Sequence, residues 1–431
     1  MLHLGDITKI SGYDVPIVDC VTFGAPCQDL SVAGKRQGMK HTDLGDDETT
    51  RSGLFHEAIR IIKEMRAKDE SNGRTGEFIR PRFAIYENVP GAFSSNKGQD
   101  FRIVLESLAK VIDKDASIPM PPKDKWANSG CIMGDGWSIA WRVLDARFWG
   151  VPQRRRRIAL VADFGGECAS EILFVKDSLR WDSSQSRTQR KTASTDAEGC
   201  IGADDTEGRS YGFPLGFRPE NVRMYDEKAT TLCIGTRAGF CNGVVSIENH
   251  PAVSRVNIDE SGKVQTLTSR MGTGGGNVPM VMEAKGLDCY NQQLTGDKAF
   301  TLNTIDRHGV ALGEPYYIVR RLTPMECERL QGFPDGWTDI GEYTDSNGKK
   351  KKTSDSARYK ALGNSIALPQ WKWIIKRLCS HYERDATLVS LFDGIGGFPY
   401  LWEQINGKGS ALWASEIEEF PMAVTKVRIG E

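Results

Sequence analysis

Two patterns of apolar and polar positions alternate over residues 1–165. Runs of consecutive apolar residues are typical of strands that are buried on both faces. Stretches with apolar residues three and four positions apart are typical of helices. The runs lie at 17–23, 83–86 and 158–162, and the helical stretches at 53–65 and 101–112. Strands that alternate with helices indicate a parallel sheet covered by helices, so this region is predicted to form the first part of an α/β domain.

Residues 166–316 follow a different pattern. Helical periodicity disappears, and short strand-like segments are separated by glycine turns, which predicts a separate, mostly β domain. Within it, similar segments begin at residues 228, 263 and 298, a constant interval of 35 residues. An arginine follows each segment. The period predicts a repeated β-hairpin, with coincidence in a threonine-rich region as the alternative.

The α/β pattern returns over residues 317–431, which are predicted to form the second part of the α/β domain. Thr323–Leu330 begins with threonine, proline and, three residues after the threonine, glutamate, which indicates a capped helix start. An apolar run at 387–392 leads into the glycine loop Asp393–Gly397 and then a helix. A strand, a glycine loop and a helix in this order normally begin a nucleotide-binding fold, whereas here they lie near the C-terminal end of the sequence.

The glycine loop alone leaves the cofactor open. A dinucleotide-binding loop has a third glycine where this chain has Pro399, which disfavours NAD without excluding it. S-adenosylmethionine is favoured, because it needs a close backbone approach and has no pyrophosphate. Glu416 follows a predicted strand at 411–414, at the distance from the loop that is usual for a carboxylate binding ribose hydroxyls.

Composition limits the class of protein. Hydrophobic residues make up 39% and charged residues 26% of the chain, as in ordinary globular proteins. There is no signal peptide and no apolar run of bilayer length, so we expect a cytoplasmic protein, a monomer without a membrane partner. The ten cysteines form neither a CxxC pair nor a Cys/His cluster, which predicts reduced thiols and no metal site. The lysine run 349–352 follows a turn-forming Asn-Gly and is predicted to be a solvated loop.

Three motifs carry candidate chemistry. The segment FGAPCQDLS places Cys27 directly after a predicted buried strand. A lone cysteine is usually a small core residue, but the flanking glycine, proline and polar residues predict a thiol presented at the edge of the sheet. Glu87 also follows a strand, where a solvated or capping carboxylate is the alternative. Arg155 and Arg157 alternate along an extended segment, so both are expected on the side that faces a cleft.

Together these motifs resemble those of the DNA cytosine C5 methyltransferase family. The matching segments are Pro26-Cys27-Gln28 with Ser31, Glu87-Asn88-Val89, Gln153 with Arg155 and Arg157, Arg321–Pro334, Gly363-Asn364-Ser365, Phe392–Gly397, Glu416 and Gly5-Asp6-Ile7. The resemblance implies a Rossmann-like, S-adenosylmethionine-dependent methyltransferase fold of the α/β class. It also implies that the mostly β region 166–316 is the target-recognition domain.

The resemblance implies roles for individual residues. The catalytic residues would be Cys27, Glu87, Arg155 and Arg157. The cofactor-binding residues would be Phe392, Asp393, Gly394, Gly396, Gly397, Glu416, Ile417, Asp6, Ile7, Pro26 and Asn364. Residues expected at double-stranded DNA are Gln28, Ser31 and Gln153, with Arg237, Arg270 and Arg307 from the repeat. The implied reaction is methyl transfer to C5 of a flipped-out cytosine through a Cys27 adduct at C6, with the glycine-containing stretch 31–51 as a lid or an ordinary surface loop.

The order of the motifs departs from that of the family. There, the cofactor loop and ribose acid precede the Gly-Asp-Ile turn and the cysteine loop, whereas here they come last. We therefore expect a circular permutant rather than a fragment, with Met1 and Glu431 within about 15 Å of each other. The sequence leaves open the target site, a companion restriction enzyme, and whether the protein is bacterial or phage-encoded. Methylation of a tRNA cytosine and a catalytically silent DNA-binding regulator are the alternative functions.

Overall fold

The computed structural model describes residues 1–24, 53–174, 246–250, 255–259, 266–272, 280–288, 293–296 and 316–430. Among these residues, eight strands form one large sheet in the order β1-β15-β14-β2-β3-β6-β5-β4. Their bounds are β1 Leu2–His3, β2 Cys20–Phe23, β3 Phe83–Asn88, β4 Ser129–Gly134, β5 Trp137–Asp145, β6 Arg156–Asp163, β14 Leu388–Leu391 and β15 Ala411–Ser415. The strands from β1 to β3 in this order run parallel, and β6, β5 and β4 join antiparallel.

Helices cover both faces of this sheet. Their bounds are α1 Gly53–Ser71, α2 Gln99–Ala109, α3 Ala169–Leu173, α4 Pro324–Gln331, α5 Asp355–Asn364, α6 Leu368–Cys379, α7 Gly397–Asn406 and α8 Glu419–Arg428. Successive strand residues point to opposite faces, so Phe83 and Ile85 join one core while Ala84 and Tyr86 join the other. The first core is covered by α3 to α8 and the second by α1 and α2. This is the predicted Rossmann-like α/β arrangement.

Several predicted elements are confirmed. Thr323 caps α4, accepting a hydrogen bond from the Glu326 backbone, while the Glu326 side chain accepts one from the Thr323 backbone. The predicted strand at 17–23 is shortened to β2, and the predicted helix at 53–65 extends to Ser71. The sequence patterns did not predict β4 and β5, which extend the sheet beyond β6. Among the described residues, no helix combines the length and apolar character that crossing a membrane requires.

A smaller antiparallel sheet contains the described strands of the middle region. Its strands are β7 Ser246–His250, β8 Arg255–Asp259, β9 Met280–Asp288, β10 Gln293–Gly296 and β11 Tyr316–Arg321. The domain limits at 165/166 and 316/317 remain a prediction. Contacts favour moving both limits slightly toward the C-terminus. Helix α3 packs in the core of the large sheet, and β11 pairs with β9 of the smaller sheet. The second copy of the repeat differs from expectation, since 266–268 is coil that leads into a 3₁₀ turn at Ser269–Gly272.

The lysine run forms a strand, so the prediction of a loop was wrong. Residues Glu342–Thr344 (β12) and Lys350–Lys352 (β13) pair antiparallel. We call residues 342–352 the lysine hairpin. Asn347-Gly348 lies in a turn, as its residue types predicted. This turn joins two paired strands.

Candidate active site

The C-terminal ends of the parallel strands place the predicted motifs at one edge of the large sheet. Glu87 lies near the end of β3, the glycine loop follows β14, and Glu416 follows β15. Because β6 runs antiparallel to β3, its first residues reach the same edge, where Asn88 pairs with Ile158. Parallel α/β sheets carry ligand sites at this edge.

Glu87 and Arg157 form an ion pair at this edge. The Arg157 Nε lies 2.8 Å from Glu87 Oε1, and both side chains are mostly buried. Gly24, which follows β2, abuts the same carboxylate, since a Cβ built on it would lie 3.0 Å from Glu87 Oε2. Gly24 is the glycine that precedes Cys27 in the segment FGAPCQDLS, but its contact with Glu87 is not evident from the sequence. Gly24, three residues before Cys27 in the sequence, therefore lies beside the Glu87 carboxylate.

The glycine loop turns sharply between β14 and α7. Phe392, Gly394 and Gly396 have φ of 58°, 59° and 79°, a region that costs energy for the phenylalanine and little for the glycines. Glycine at position 396 is also required by packing, because a Cβ there would lie 2.7 Å from Ile429 Cδ1. By contrast, within the part of the chain that the structure describes, no heavy atom lies within 4 Å of a Cβ built on Gly394. The loop therefore packs on one side and is open on the other.

Glu416 is fastened to this loop. Its carboxylate accepts hydrogen bonds from the backbone of Gly394 at 2.8 Å, Ile417 at 2.7 Å and Glu418 at 2.9 Å. The neighbouring Ile417 side chain is 67% exposed. The loop thus has a carboxylate and an open apolar side chain next to each other.

The start of the chain lies beside the C-terminal motifs, although Glu431 itself is outside the described residues. Strand β1 pairs with β15, and Ser415 donates its hydroxyl hydrogen bond to the Gly5 carbonyl at 2.8 Å. Asp6 caps the following 3₁₀ turn by accepting from the Thr8 backbone, a bond that lowers the pKa of Asp6. Ile7 is buried in the core at the turn.

Asp393 faces away from the open side of the loop. Its side chain is buried next to Thr425 of α8, whose hydroxyl lies 3.4 Å from Oδ2. Burial raises the pKa of Asp393 to about 8, so the carboxyl group is largely neutral at pH 7. The prediction that Asp393 binds a cofactor is corrected for its side chain; its backbone remains part of the loop.

Asn364 is brought close to the glycine loop by the turn after α5. It is exposed, and the neighbouring Ile366 abuts Gly397, since a Cβ on that glycine would lie 2.9 Å from Ile366 Cγ1. Trp337 donates to the Ile395 carbonyl at 2.9 Å and braces the loop from the same side. These contacts join the 317–380 region to the glycine loop.

Arg155 and Arg157 share the inward side of this segment, as expected, because both are largely buried while Arg154 and Arg156 are exposed. The expectation that this side faces a cleft was wrong for Arg155. Its side chain is 1% exposed and donates to the carbonyl oxygens of Leu267 at 2.9 Å, Gly363 at 3.2 Å and Ser365. Arg155 therefore connects the repeat segment at 266–268 with the turn that carries Asn364. The role of Leu267 was missed, because no sequence pattern indicates which backbone carbonyl a distant arginine meets.

Gly363→Ala is expected to lower the free energy of unfolding by about 1–3 kcal/mol, because the new methyl group overpacks the joint. A Cβ at this position would lie 2.1 Å from the Thr268 carbonyl carbon and 2.2 Å from the Ser269 nitrogen. Urea denaturation measures the effect. Gly53→Ala, at an uncrowded helix start, is the control and should change stability little. Equal stabilities of the two variants would contradict the close packing of Gly363 against Thr268 and Ser269.

Gln153 is fully buried, which corrects its assignment as a DNA-contacting residue. Its neighbour Val151 packs with Ala146 and Ala367 in a small cluster, so this segment belongs to the protein interior. The alternation of the arginine motif continues around it, with Arg154 and Arg156 exposed.

The remaining predicted site residues are outside the described side chains. Pro26, Cys27, Gln28, Ser31, the stretch 31–51, Arg237 and Arg307 lie outside the described residues. The backbone of Arg270 is described and lies in the 3₁₀ turn Ser269–Gly272. The roles proposed for all of these residues remain predictions.

Comparison with known proteins gives consistent matches. The family model of the C-5 cytosine-specific DNA methylases matches residues 1–111 and 132–380. The chain is similar to the orphan methyltransferase M.SPBetaI of Bacillus phage SPbeta, with 29% identity over 88% of this chain and 87% of that protein. It is also similar to M.SPRI of Bacillus phage SPR, with 26% identity over 88% and 87%.

One similar relative is named for a different activity. The DNA N-6-adenine-methyltransferase of Escherichia phage P1 is 28% identical over 89% of this chain, but the chain spans only 56% of its length. The family model covers more than half of this chain and includes the segments with Cys27, Glu87, Arg155 and Arg157. The chain belongs to the C-5 cytosine-specific DNA methylase family.

Proposed function

We propose that this protein transfers a methyl group from S-adenosylmethionine to C5 of a flipped-out cytosine in double-stranded DNA. The observation that carries the proposal is the Glu87–Arg157 ion pair beside Gly24, at the sheet edge that also holds the glycine loop. A carboxyl group and a guanidinium that lie side by side can address adjacent polar atoms on the edge of one base. The thiol of Cys27 is three residues from Gly24 in the sequence.

The glycine loop and its surroundings fit S-adenosylmethionine. The open side of Gly394 allows close approach to the backbone, and Glu416 is held where a carboxylate can accept from ribose hydroxyls. Ile417 offers apolar contact to a purine, and Asp6 and Ile7 border the same strand end. Pro26, Phe392, Gly396, Gly397 and Asn364 complete the proposed set. When bound, the cofactor supplies an activated methyl group on its sulfonium.

The chemistry follows from the weak nucleophilicity of cytosine C5. The Cys27 thiolate forms a bond to C6, which moves the electrons of the C5–C6 double bond toward C5 and makes it nucleophilic. Glu87 hydrogen-bonds N3 and the exocyclic amine and supplies the proton that neutralises the ring, while Arg157 holds the base carbonyl. C5 then takes the methyl group. The ring proton returns to the Glu87 carboxylate, and loss of the C5 proton to a base re-forms the C5–C6 double bond and expels the Cys27 thiolate.

The target atom is inaccessible within stacked DNA, so the base must be extruded at a cost of a few kcal/mol. We propose the stretch 31–51 as the lid that closes over it, with Gln28 and Ser31 near the DNA. Relatives from phages of Bacillus and Escherichia support action on bacterial or phage DNA. We propose that the protein acts there as a cytoplasmic monomer.

Incubation with tritiated S-adenosylmethionine tests the proposal. Duplex DNA, tRNA and single-stranded DNA are compared, and the labelled nucleosides are separated after digestion. We expect 5-methylcytosine from duplex DNA. Labelled tRNA would favour the alternative RNA activity, and N6-methyladenine, the activity named for the phage P1 relative, would overturn the proposed chemistry. A covalent complex with 5-fluorocytosine DNA separates an enzyme from a silent DNA-binding regulator.

We also propose that Arg237, Arg270 and Arg307 contact DNA from the recognition domain. A bidentate arginine contact to guanine contributes about 1–3 kcal/mol of discrimination. Alanine at each position should therefore relax specificity at one base pair by about 5- to 150-fold, or weaken all sites uniformly and reduce the salt slope. Binding measured at several salt concentrations distinguishes a base contact from a phosphate contact. Unchanged binding for all the variants would remove the recognition role of the repeat.

We further propose that the chain is a circular permutant of the usual family order. The family match ends at residue 380, before β14 and the glycine loop. Strand β1 pairs parallel with β15, the strand that precedes α8, so a connection from α8 to β1 would complete a parallel crossover. Burial and the nearby Lys426 of α8 lower the pKa of His3 in β1 to about 4.

The linker between α6 and β14 is mostly exposed and is fastened to the sheet at Asp19. Asp19 is fully buried and pairs with Arg384 at 2.6 Å. It also accepts from the Thr387 backbone at 2.7 Å and hydroxyl at 2.8 Å. This link fastens the start of β14 to the start of β2.

Joining Glu431 to Met1 through a short flexible linker and reopening the chain just before Thr387 should give an active enzyme in the usual order. The cut keeps the Thr387 contact to Asp19 and the active-site contacts, and it changes only loop closure. The methyl transfer rate should stay within about tenfold of the original chain. A folded but inactive product would contradict the permutation.

A further inference from the structure

The lysine hairpin is fastened to the first turn of α8. Lys351 Nζ lies 2.9 Å from Glu419 Oε2 and 3.0 Å from Asp345 Oδ2. Ser346 donates its hydroxyl to Glu419 Oε1 at 2.6 Å. The Ser346 hydroxyl, followed by Lys351, lowers the pKa of Glu419, so its carboxylate is charged at neutral pH and the contact is lost only in acid.

A second contact joins α5 to the same segment. Lys360 Nζ lies 2.9 Å from both carboxylate oxygens of Glu418. The backbone of Glu418 donates in turn to Glu416, whose other oxygen accepts from Gly394. A continuous series of contacts therefore runs from the hairpin and α5 through 416–419 to the glycine loop.

The negative charge of the segment 416–419 is compensated by residues of other elements. Glu416, Glu418 and Glu419 place three carboxylates within four residues, and like charges at this spacing repel. Lys351 and Lys360 supply the opposing charge. Tyr343 of the hairpin also packs on Phe420, with ring centroids 5.7 Å apart.

We propose that the lysine hairpin positions the segment 416–419, with Lys351 as a positioning residue that sets cofactor affinity without entering the chemistry. This inference rests on the proposed function, because it assigns 416–419 to the rim of an S-adenosylmethionine site. Through Glu419 and the first turn of α8, Lys351 fixes the direction in which the chain leaves Glu416. Cofactor binding should therefore depend on Lys351, while the rate with saturating cofactor should not.

Calorimetry with S-adenosylhomocysteine and steady-state kinetics of the full chain test the inference. K351Q should weaken binding about threefold to fivefold, within the range of an exposed ion pair. K351E reverses the charge beside Asp345 and Glu419 and should weaken binding about tenfold or more, while K351R should retain affinity. K350Q, its exposed strand neighbour, is the control and should match wild type. The effect of K351E should shrink in high salt.

Exchanging the charges of Lys351 and Glu419 tests whether Lys351 acts through Glu419. If Lys351 acts through Glu419, K351E/E419K should recover most of the affinity that K351E loses. In each variant, KM for the cofactor should change while kcat stays within about twofold of wild type. Wild-type affinity in K351E, or a fall in kcat as large as the change in KM, would overturn the positioning role. Wild-type protein that does not bind S-adenosylhomocysteine would overturn the cofactor assignment itself and the inference with it.

Discussion

Cys27→Ala is expected to lose methyl transfer by more than about 10³-fold, because C5 of cytosine does not become nucleophilic without addition at C6. Binding of duplex DNA and of cofactor should remain near wild-type values, since the change removes a single sulfur atom. Methyl incorporation from tritiated cofactor measures the rate, and band-shift titration measures DNA binding.

The matched control is Cys131→Ala, which removes an exposed thiol in β4. It should leave the rate unchanged. Trapping with 5-fluorocytosine DNA gives an independent result, because wild type and Cys131→Ala should form a covalent complex and Cys27→Ala should not. Retention of substantial activity by Cys27→Ala would assign the nucleophile elsewhere.

Glu87→Gln is expected to lower the methyl transfer rate by about 10²–10⁴-fold, the usual range for loss of a general acid or base. Glutamine keeps the size of the side chain but cannot supply the proton that neutralises the ring. It also removes the ion pair with Arg157, which lies 2.8 Å away. Single-turnover kinetics with excess enzyme isolate the chemical step.

Loss of packing is distinguished from loss of chemistry by a control and a stability measurement. Asp135→Asn, in the exposed turn between β4 and β5, should keep the wild-type rate. Thermal unfolding of Glu87→Gln should show a folded protein, because its neighbours in β3 stay buried. A wild-type rate in Glu87→Gln would restrict this carboxylate to a structural role.

Local sequence predicted much of the secondary structure of the α/β domain and the position of two candidate site residues at strand ends. Alternating strand and helix patterns predicted the α/β fold, since a strand buried on both faces needs a continuous apolar run, as in β2 and β3. The strand-end positions of Glu87 and Glu416 followed from the same pattern, because parallel strands end at one edge of the sheet. The capping box at Thr323 was predictable because it depends only on residues within one turn.

Tertiary contacts decided the features that the sequence patterns missed. Arg155 and Arg157 alternate with the exposed Arg154 and Arg156, as the extended pattern predicted, but Arg155 precedes β6 and does not enter the cleft. Its direction is set by carbonyls of Leu267 and Gly363, more than 100 residues away in sequence. The lysine run became a strand because it pairs with 342–344 and meets Glu419 of α8. Local propensity describes what a segment can form, whereas the partners that select one direction or one pairing come from distant parts of the chain, and only the folded structure brings them together.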